Sequence, residues 1–176
     1  MSFNFNILVS TPRNFERDAL AELDFLIHQV FPDNQFNYGN TIVSGLVWGN
    51  IVNHEPIQAV NMIRNFVIDK HFPLHYLLKF VPIETVMKTD FDEIEKYILN
   101  RLQEIDESES FKIVVNKRRI SLEKLDIIKT LAKNIQRTVD LENPVKIIHL
   151  ETIGKYTGIS FLKKNDIYNA INEKID

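Results

Sequence analysis

The sequence predicts an α+β protein of two domains, and three observations carry that prediction. Strand and helix signals alternate as βαββαβ through residues 1–83. A stretch bounded by Pro82 and Asp90 then interrupts the pattern. Beyond it, α/β signals resume to the end of the chain, so the two domains are expected at 1–83 and 84–176.

Each element has a local reason. Phe3, Phe5, Ile7 and Val9 are spaced by two, which places them on one face of a strand. Thr11-Pro12 supplies a helix start, with Thr11 as N-cap and Pro12 at the first helical position. Phe15, Ala19, Leu20, Leu23, Leu26, Ile27 and Val30 follow at helical spacing. Phe31-Pro32-Asp33-Asn34 ends that helix. Short strands are expected at 35–38 and 42–48, with Gly39-Asn40 as the turn between them. Glu55-Pro56 opens a second helix bearing Ile57, Val60, Ile63 and Val67, and His71-Phe72-Pro73 closes it. A buried strand at 76–81 completes the order, which is the split-βαβ, ferredoxin-like motif.

In the second domain, Thr89 or Asp90 caps a helix bearing Phe91, Ile94, Ile98, Leu102 and Ile105, and Asp90 with Glu93 makes a capping-box pattern. The acidic stretch 104–110 has only Ile105 to pack and reads as a solvated turn. A strand follows at 111–115. Ser121 is expected to cap a helix with Leu122, Leu125, Ile128, Leu131, Ala132 and Ile135 inward. Pro144 forces a loop before it. Two strands at about 145–152 and 156–162 are joined through Gly154, and a short helix is expected at 167–175.

The composition excludes several classes of function. With no cysteine there is no disulfide, thiolate metal site or cysteine nucleophile. No apolar run approaches the roughly 18 residues of a membrane helix, and the N-terminus lacks a secretory pattern, so a cytoplasmic protein without membrane contact is expected. No G-x-S-x-G elbow is present. Ser10 reads as a turn residue. His71 and His75 have the spacing of a helical metal pair, but Pro73 breaks the helix between them, and His28, His54 and His149 stand singly. No glycine pattern cradles a nucleotide phosphate. The carboxylates of 90–95 and 104–109 read as helix-start and turn charge. Neither a metal, a cofactor nor an activity of its own is therefore expected.

Charge is more informative when divided along the chain. The whole carries −3, which speaks against a polyanion partner. Residues 1–80, however, carry five basic and seven acidic side chains, 81–110 three and nine, and 111–176 thirteen and eight. The C-terminal part is basic. Lys117-Arg118-Arg119 follows a strand and precedes a helix N-terminus, a natural anion site. Lys129, Lys133 and Arg137 recur every four residues opposite the apolar stripe, as a binding ridge or a solvated face. Lys155 and Tyr156 would add a charge and a ring for stacking on single-stranded RNA, although strand packing also explains the tyrosine.

The segment Phe111-Lys-Ile-Val-Val-Asn-Lys-Arg-Arg119, the helix with Leu131-Ala132, and the loop Val139-Asp-Leu-Glu-Asn-Pro144 before a strand ending in Glu151 resemble a THUMP domain over residues 84–164. Asn6-Ile-Leu-Val-Ser-Thr-Pro-Arg-Asn-Phe-Glu16 with Ala19-Leu-Ala-Glu-Leu23 is similar to the ferredoxin-like domain that precedes THUMP in tRNA-modifying proteins, and Val81-Pro-Ile-Glu84 to the join. Arg13-Asn14 stands where such relatives commonly have Arg-Gly. Methyltransferase and 4-thiouridine-synthetase relatives continue into a catalytic domain, whereas this chain ends at Asp176, a layout resembling the stand-alone tRNA-acetylation adaptors.

The resemblance implies binding of tRNA by its acceptor stem and 3′ end. It also implies a separate acetyltransferase partner that forms N4-acetylcytidine. Lys117, Arg118, Arg119 and Lys155 would then meet phosphates, Tyr156 a base, and Lys129, Lys133 and Arg137 the duplex stem. Two other expectations remain: an RNA-loading subunit for a methyltransferase or sulfur-transfer enzyme, and a ferredoxin-like module that binds a small ligand.

Overall fold

A computed structural model describes residues 4–173 and divides the chain into two compact units, Met1–Glu84 with Asn165–Asp176, and Thr85–Lys164. The protein is α+β, with the expected ferredoxin-like order followed by an α/β domain. Phe3 lies outside the described residues.

The first unit contains β1 (Ile7–Ser10), α1 (Glu16–Val30), β2 (Phe36–Asn40), β3 (Leu46–Ile51), α2 (Pro56–Asp69) and β4 (Lys79–Pro82). β1 is central: Ile7 pairs with Gly49 on one side and Pro82 on the other, both antiparallel. Ile7 and Val9 face Ala19, Leu23 and Ile27 of α1 and Val60 and Ile63 of α2 in one core. The periodicity of both helices is read correctly except at Phe15, which precedes α1 and is 45% exposed.

Three boundaries move, each for a visible reason. The first helix begins at Glu16, not at Thr11-Pro12, because 11–15 form a turn in which Asn14 takes φ 70°. Asparagine is one of the few residues besides glycine that tolerate this region. The Glu16 carboxylate accepts hydrogen bonds from Gly45 N at 2.6 Å and Ser44 Oγ at 2.7 Å, tying that turn to the β2–β3 connection. These bonds, Gly45 first, hold its pKa at about 2. The hairpin turn lies at 41–45, not at Gly39-Asn40. Gly39 is inside β2 opposite Trp48, where a Cβ would stand 3.1 Å from the indole. β4 begins at Lys79, since the Glu22 carboxylate already accepts the N–H groups of His75, Tyr76 and Leu77 at 2.7, 2.8 and 3.1 Å.

The second unit contains β5 (Thr85–Lys88), α3 (Phe91–Asn100), β6 (Ser110–Arg118), α4 (Lys124–Ala132), β7 (Thr138–Val139), β8 (Lys146–Ile153) and β9 (Tyr156–Leu162). Its sheet order is β5-β9-β8-β6-β7. β6 is parallel to β8, while β9 is antiparallel to both β8 and β5. Asp90 caps α3 as expected, its carboxylate accepting from Asp92 N and Glu93 N at 3.1 and 3.2 Å.

Two expectations fail here. Ser121 does not cap α4, which starts at Lys124 after Glu123. With that start the inward face is Ile127, Leu131 and, past the helix end, Ile135, while Leu122 and Leu125 are 51% and 68% exposed. No helix forms after residue 166 among the described residues. Instead β10 (Tyr168–Asn169) pairs with β4 and completes the first unit's sheet as β10-β4-β1-β3-β2. The Tyr168 ring stacks on Phe80 at 5.6 Å, and Arg64 donates to the Ile167 carbonyl at 2.8 Å. The last residues of the expected helix, 174 and 175, lie outside the described residues. The segment after Lys164, read from sequence as part of the second domain, thus belongs to the first unit.

Candidate nucleic-acid interface

Strand pairing brings distant cations to one end of the second sheet. Lys88, the last residue of β5, is opposite Tyr156; Tyr156 is opposite Ile153; Ile153 is beside Arg118. These four residues form a row across four strands, roughly 14 Å wide at the usual inter-strand spacing. Backbone bonds lock that end together. Gly154 N donates to Arg118 O at 2.9 Å, and Thr89 N to Lys155 O at 2.9 Å. Gly154, at φ 60°, permits the tight β8–β9 turn that carries Lys155 outward. Lys88, Arg119 and Lys155 are all exposed, and none makes an ion pair among the described residues. Three uncommitted cations therefore line one sheet end.

Lys117, Arg118 and Arg119 do not act as one cluster, because β6 extends through Arg118. Successive residues of a strand point to opposite faces. Lys117 turns to the α4 side, where Nζ donates to the Leu122 carbonyl at 2.8 Å and lies 3.7 Å from Glu123. Arg118 turns to the other face and donates Nη1–H to Glu151 Oε2. Only Arg119, just past the strand, is exposed, and it holds φ 60°.

Glu151 is the centre of a buried polar group that the sequence reading did not anticipate. Its residue is 1% exposed. Oε1 accepts from Asn116 Nδ2 at 2.7 Å and lies 2.8 Å from His149 Nε2, which must carry the proton to serve an ionised carboxylate. Burial pushes the Glu151 pKa up, but His149 and Arg118 outweigh it, and the carboxyl is held at about 2. The group is thus an ion pair fully satisfied inside the domain. His149 and Glu151 are two apart on one strand, a spacing that could have revealed a shared face.

The remaining residues separate. Tyr156 is half-buried in the row beside Lys88. Lys129 is exposed on α4, but the helix ends at Ala132, so the ridge of Lys129, Lys133 and Arg137 does not form. Lys133 lies 3.7 Å from Glu95. Arg137 folds back, donating Nε–H to the Ile105 carbonyl at 2.9 Å. Lys88 was missed because β5 falls in the stretch read as a join. Among the described residues no three His, Cys, Asp or Glu side chains form a metal-holding group, and no helix is long and apolar enough to cross a membrane.

Comparison with known proteins adds the family. No curated protein matches the chain. The structure of PH1313 from Pyrococcus horikoshii Ot3 is similar over 91% of this chain and 55% of its own, with 14% identity and a TM-score of 0.58. A 4-thiouridine synthetase solved with RNA and bound ATP is similar over 91% of this chain and 42% of its own, with 15% identity and a TM-score of 0.51. The solution structure of the THUMP domain of THUMP domain-containing protein 1 is 25% identical and covers 45% of this chain and 91% of its own, with a TM-score of 0.37. The chain spans about half the length of the first two, and likeness at that identity shows the shared fold. The THUMP domain family model matches residues 88–162, a stretch that opens on Lys88 and contains Arg119 and Lys155. The second unit of this protein is a THUMP domain.

Proposed function

We propose that this protein is a tRNA-binding adaptor that holds the acceptor stem and 3′ end and presents them to a separate modifying enzyme in the cytoplasm. The observation that carries the reading is the set of three uncommitted cations, Lys88, Arg119 and Lys155, at one sheet end of the THUMP domain. Exposed, unpaired cations lose little on meeting phosphate and release its condensed counterions. Tyr156, opposite Lys88, would stack on an unpaired base. The adaptor has no catalysis of its own in this reading, and its enzyme is an acetyltransferase that forms N4-acetylcytidine. Loading RNA for a methyltransferase or sulfur-transfer enzyme is the competing role, which the fold likeness to the 4-thiouridine synthetase favours.

Gel-shift titration with tRNA, intact and lacking its unpaired 3′ nucleotides, tests the docking. Intact tRNA should bind more tightly, and changing Lys88, Arg119 and Lys155 together to Ala should lower the log–log salt slope by roughly 2 to 3. Absence of binding at low salt would refute the reading. Nucleoside analysis of tRNA from cells lacking the protein separates the partners: loss of N4-acetylcytidine supports the acetyltransferase, and loss of a methylated or thiolated nucleoside its rival.

A further inference from the structure

Arg118 and Arg119 are neighbours with opposite commitments. The side chain of Arg118 is held by Glu151, its N–H donates to Thr152 Oγ1 at 3.2 Å, and its carbonyl accepts from Gly154 N at 2.9 Å. Thr152 Oγ1 also reaches the Asn116 carbonyl at 3.4 Å. The end of β6 is therefore pinned from its side chain and from both backbone groups. Directly after this anchor the chain turns, and Arg119 takes φ 60°, a region that L side chains enter rarely. A residue stays in such a conformation only where its surroundings over-determine it. Those surroundings are the three attachments of Arg118.

Resting on the tRNA-binding reading above, we infer that Arg118 is a positioning residue: anchored on buried Glu151, it aims Arg119 at an RNA phosphate and makes no RNA contact itself. The arrangement divides two jobs between adjacent arginines. A guanidinium already paired with a buried carboxylate is a poor ligand for a second anion, because the carboxylate repels it. A guanidinium with no partner, held in one direction, binds phosphate without first losing its freedom.

Equilibrium binding of tRNA across a salt series tests this with Arg118→Met, Arg119→Ala and the double variant, each checked for folding by circular dichroism. Arg119→Ala should weaken binding about tenfold and lower the log–log slope by roughly 0.7–0.9. Arg118→Met should weaken binding alone, yet cost nothing further once Arg119 is Ala. Should Arg118→Met fail to fold, Glu151→Gln loosens the same anchor from its other end and should show the same dependence on Arg119. An equal loss in both backgrounds would overturn the inference, as would unchanged affinity in Arg118→Met. Normal wild-type binding in that experiment leaves the tRNA-binding reading standing, whereas a wild-type protein that binds no tRNA would overturn both.

Discussion

Replacing Glu151 by Gln should destabilise the THUMP domain by about 3 kcal/mol at neutral pH, and acid should erase most of the difference. Two routes give that magnitude. The carboxyl is held at about 2 against an ordinary 4.5, and at about 1.4 kcal/mol per unit this is about 3 kcal/mol of stability. Removing one partner of a buried ion pair costs about 3–5 kcal/mol, and the Arg118 side chain, 27% exposed, belongs at the low end. A carboxyl whose folded pKa lies below its unfolded value contributes stability that is present above the unfolded value and lost as pH falls towards the folded one. The gap between wild type and variant should therefore narrow from about 3 kcal/mol at pH 7 to about 1 kcal/mol at pH 3. Other titrating carboxyls cancel in that difference. Urea unfolding followed by far-ultraviolet circular dichroism measures it, and fluorescence of Trp48, the chain's only tryptophan, separately reports the first unit. A gap of the same size at both pH values would show that ionisation of Glu151 is not the source.

Three further outcomes follow from local geometry. Gly49→Ala should cost about 1–3 kcal/mol by Trp48 fluorescence, since the new Cβ would lie 2.8 Å from Phe36 Cε2 and 2.9 Å from Ile7 Cγ1. Asp90→Ala, which removes the acceptor for Asp92 N and Glu93 N, should cost about 1 kcal/mol in the second unit's urea transition. Arg119→Gly should stabilise that unit by about 0.5 kcal/mol, because glycine takes φ 60° freely. The same change should weaken tRNA binding, so melting and binding measurements should move in opposite directions.

What was legible in the sequence was what depends on near neighbours. Alternation through Ile7 and Val9, the proline opening α2 and the cap at Asp90 are local signals, and each lies where it was expected. The paired strands on either side of Gly154 are equally local. Short elements were lost: β7 and β10 are two residues each, too few to show a period, and β5 has four inside a segment that read as a join. Element boundaries shifted where side chains took over backbone donors, as Glu22 does for 75–77 and Glu16 for Gly45. The site failed for a different reason. Arg118 and Glu151 are 33 residues apart, and only the parallel pairing of β6 with β8 makes them partners. A basic run that is continuous along the chain is therefore divided in space, with Lys117 and Arg118 on opposite faces of β6 and Arg119 exposed beyond it.

The return of the chain to β4 has a consequence for biosynthesis. Thr85 pairs with Ile159, so the THUMP domain is entered and left through adjacent strands, as a cassette spliced into the first unit. A ribosome delivers α1, α2 and four strands of that unit early, yet the backbone edge of β4 beside Phe80 waits for Tyr168. Throughout synthesis of the whole second unit, this open edge is a template for wrong pairing. The sheet of the first unit is thus complete only once the chain has passed through the second. Defects in the cassette should appear first as aggregation of a unit whose own sequence is intact.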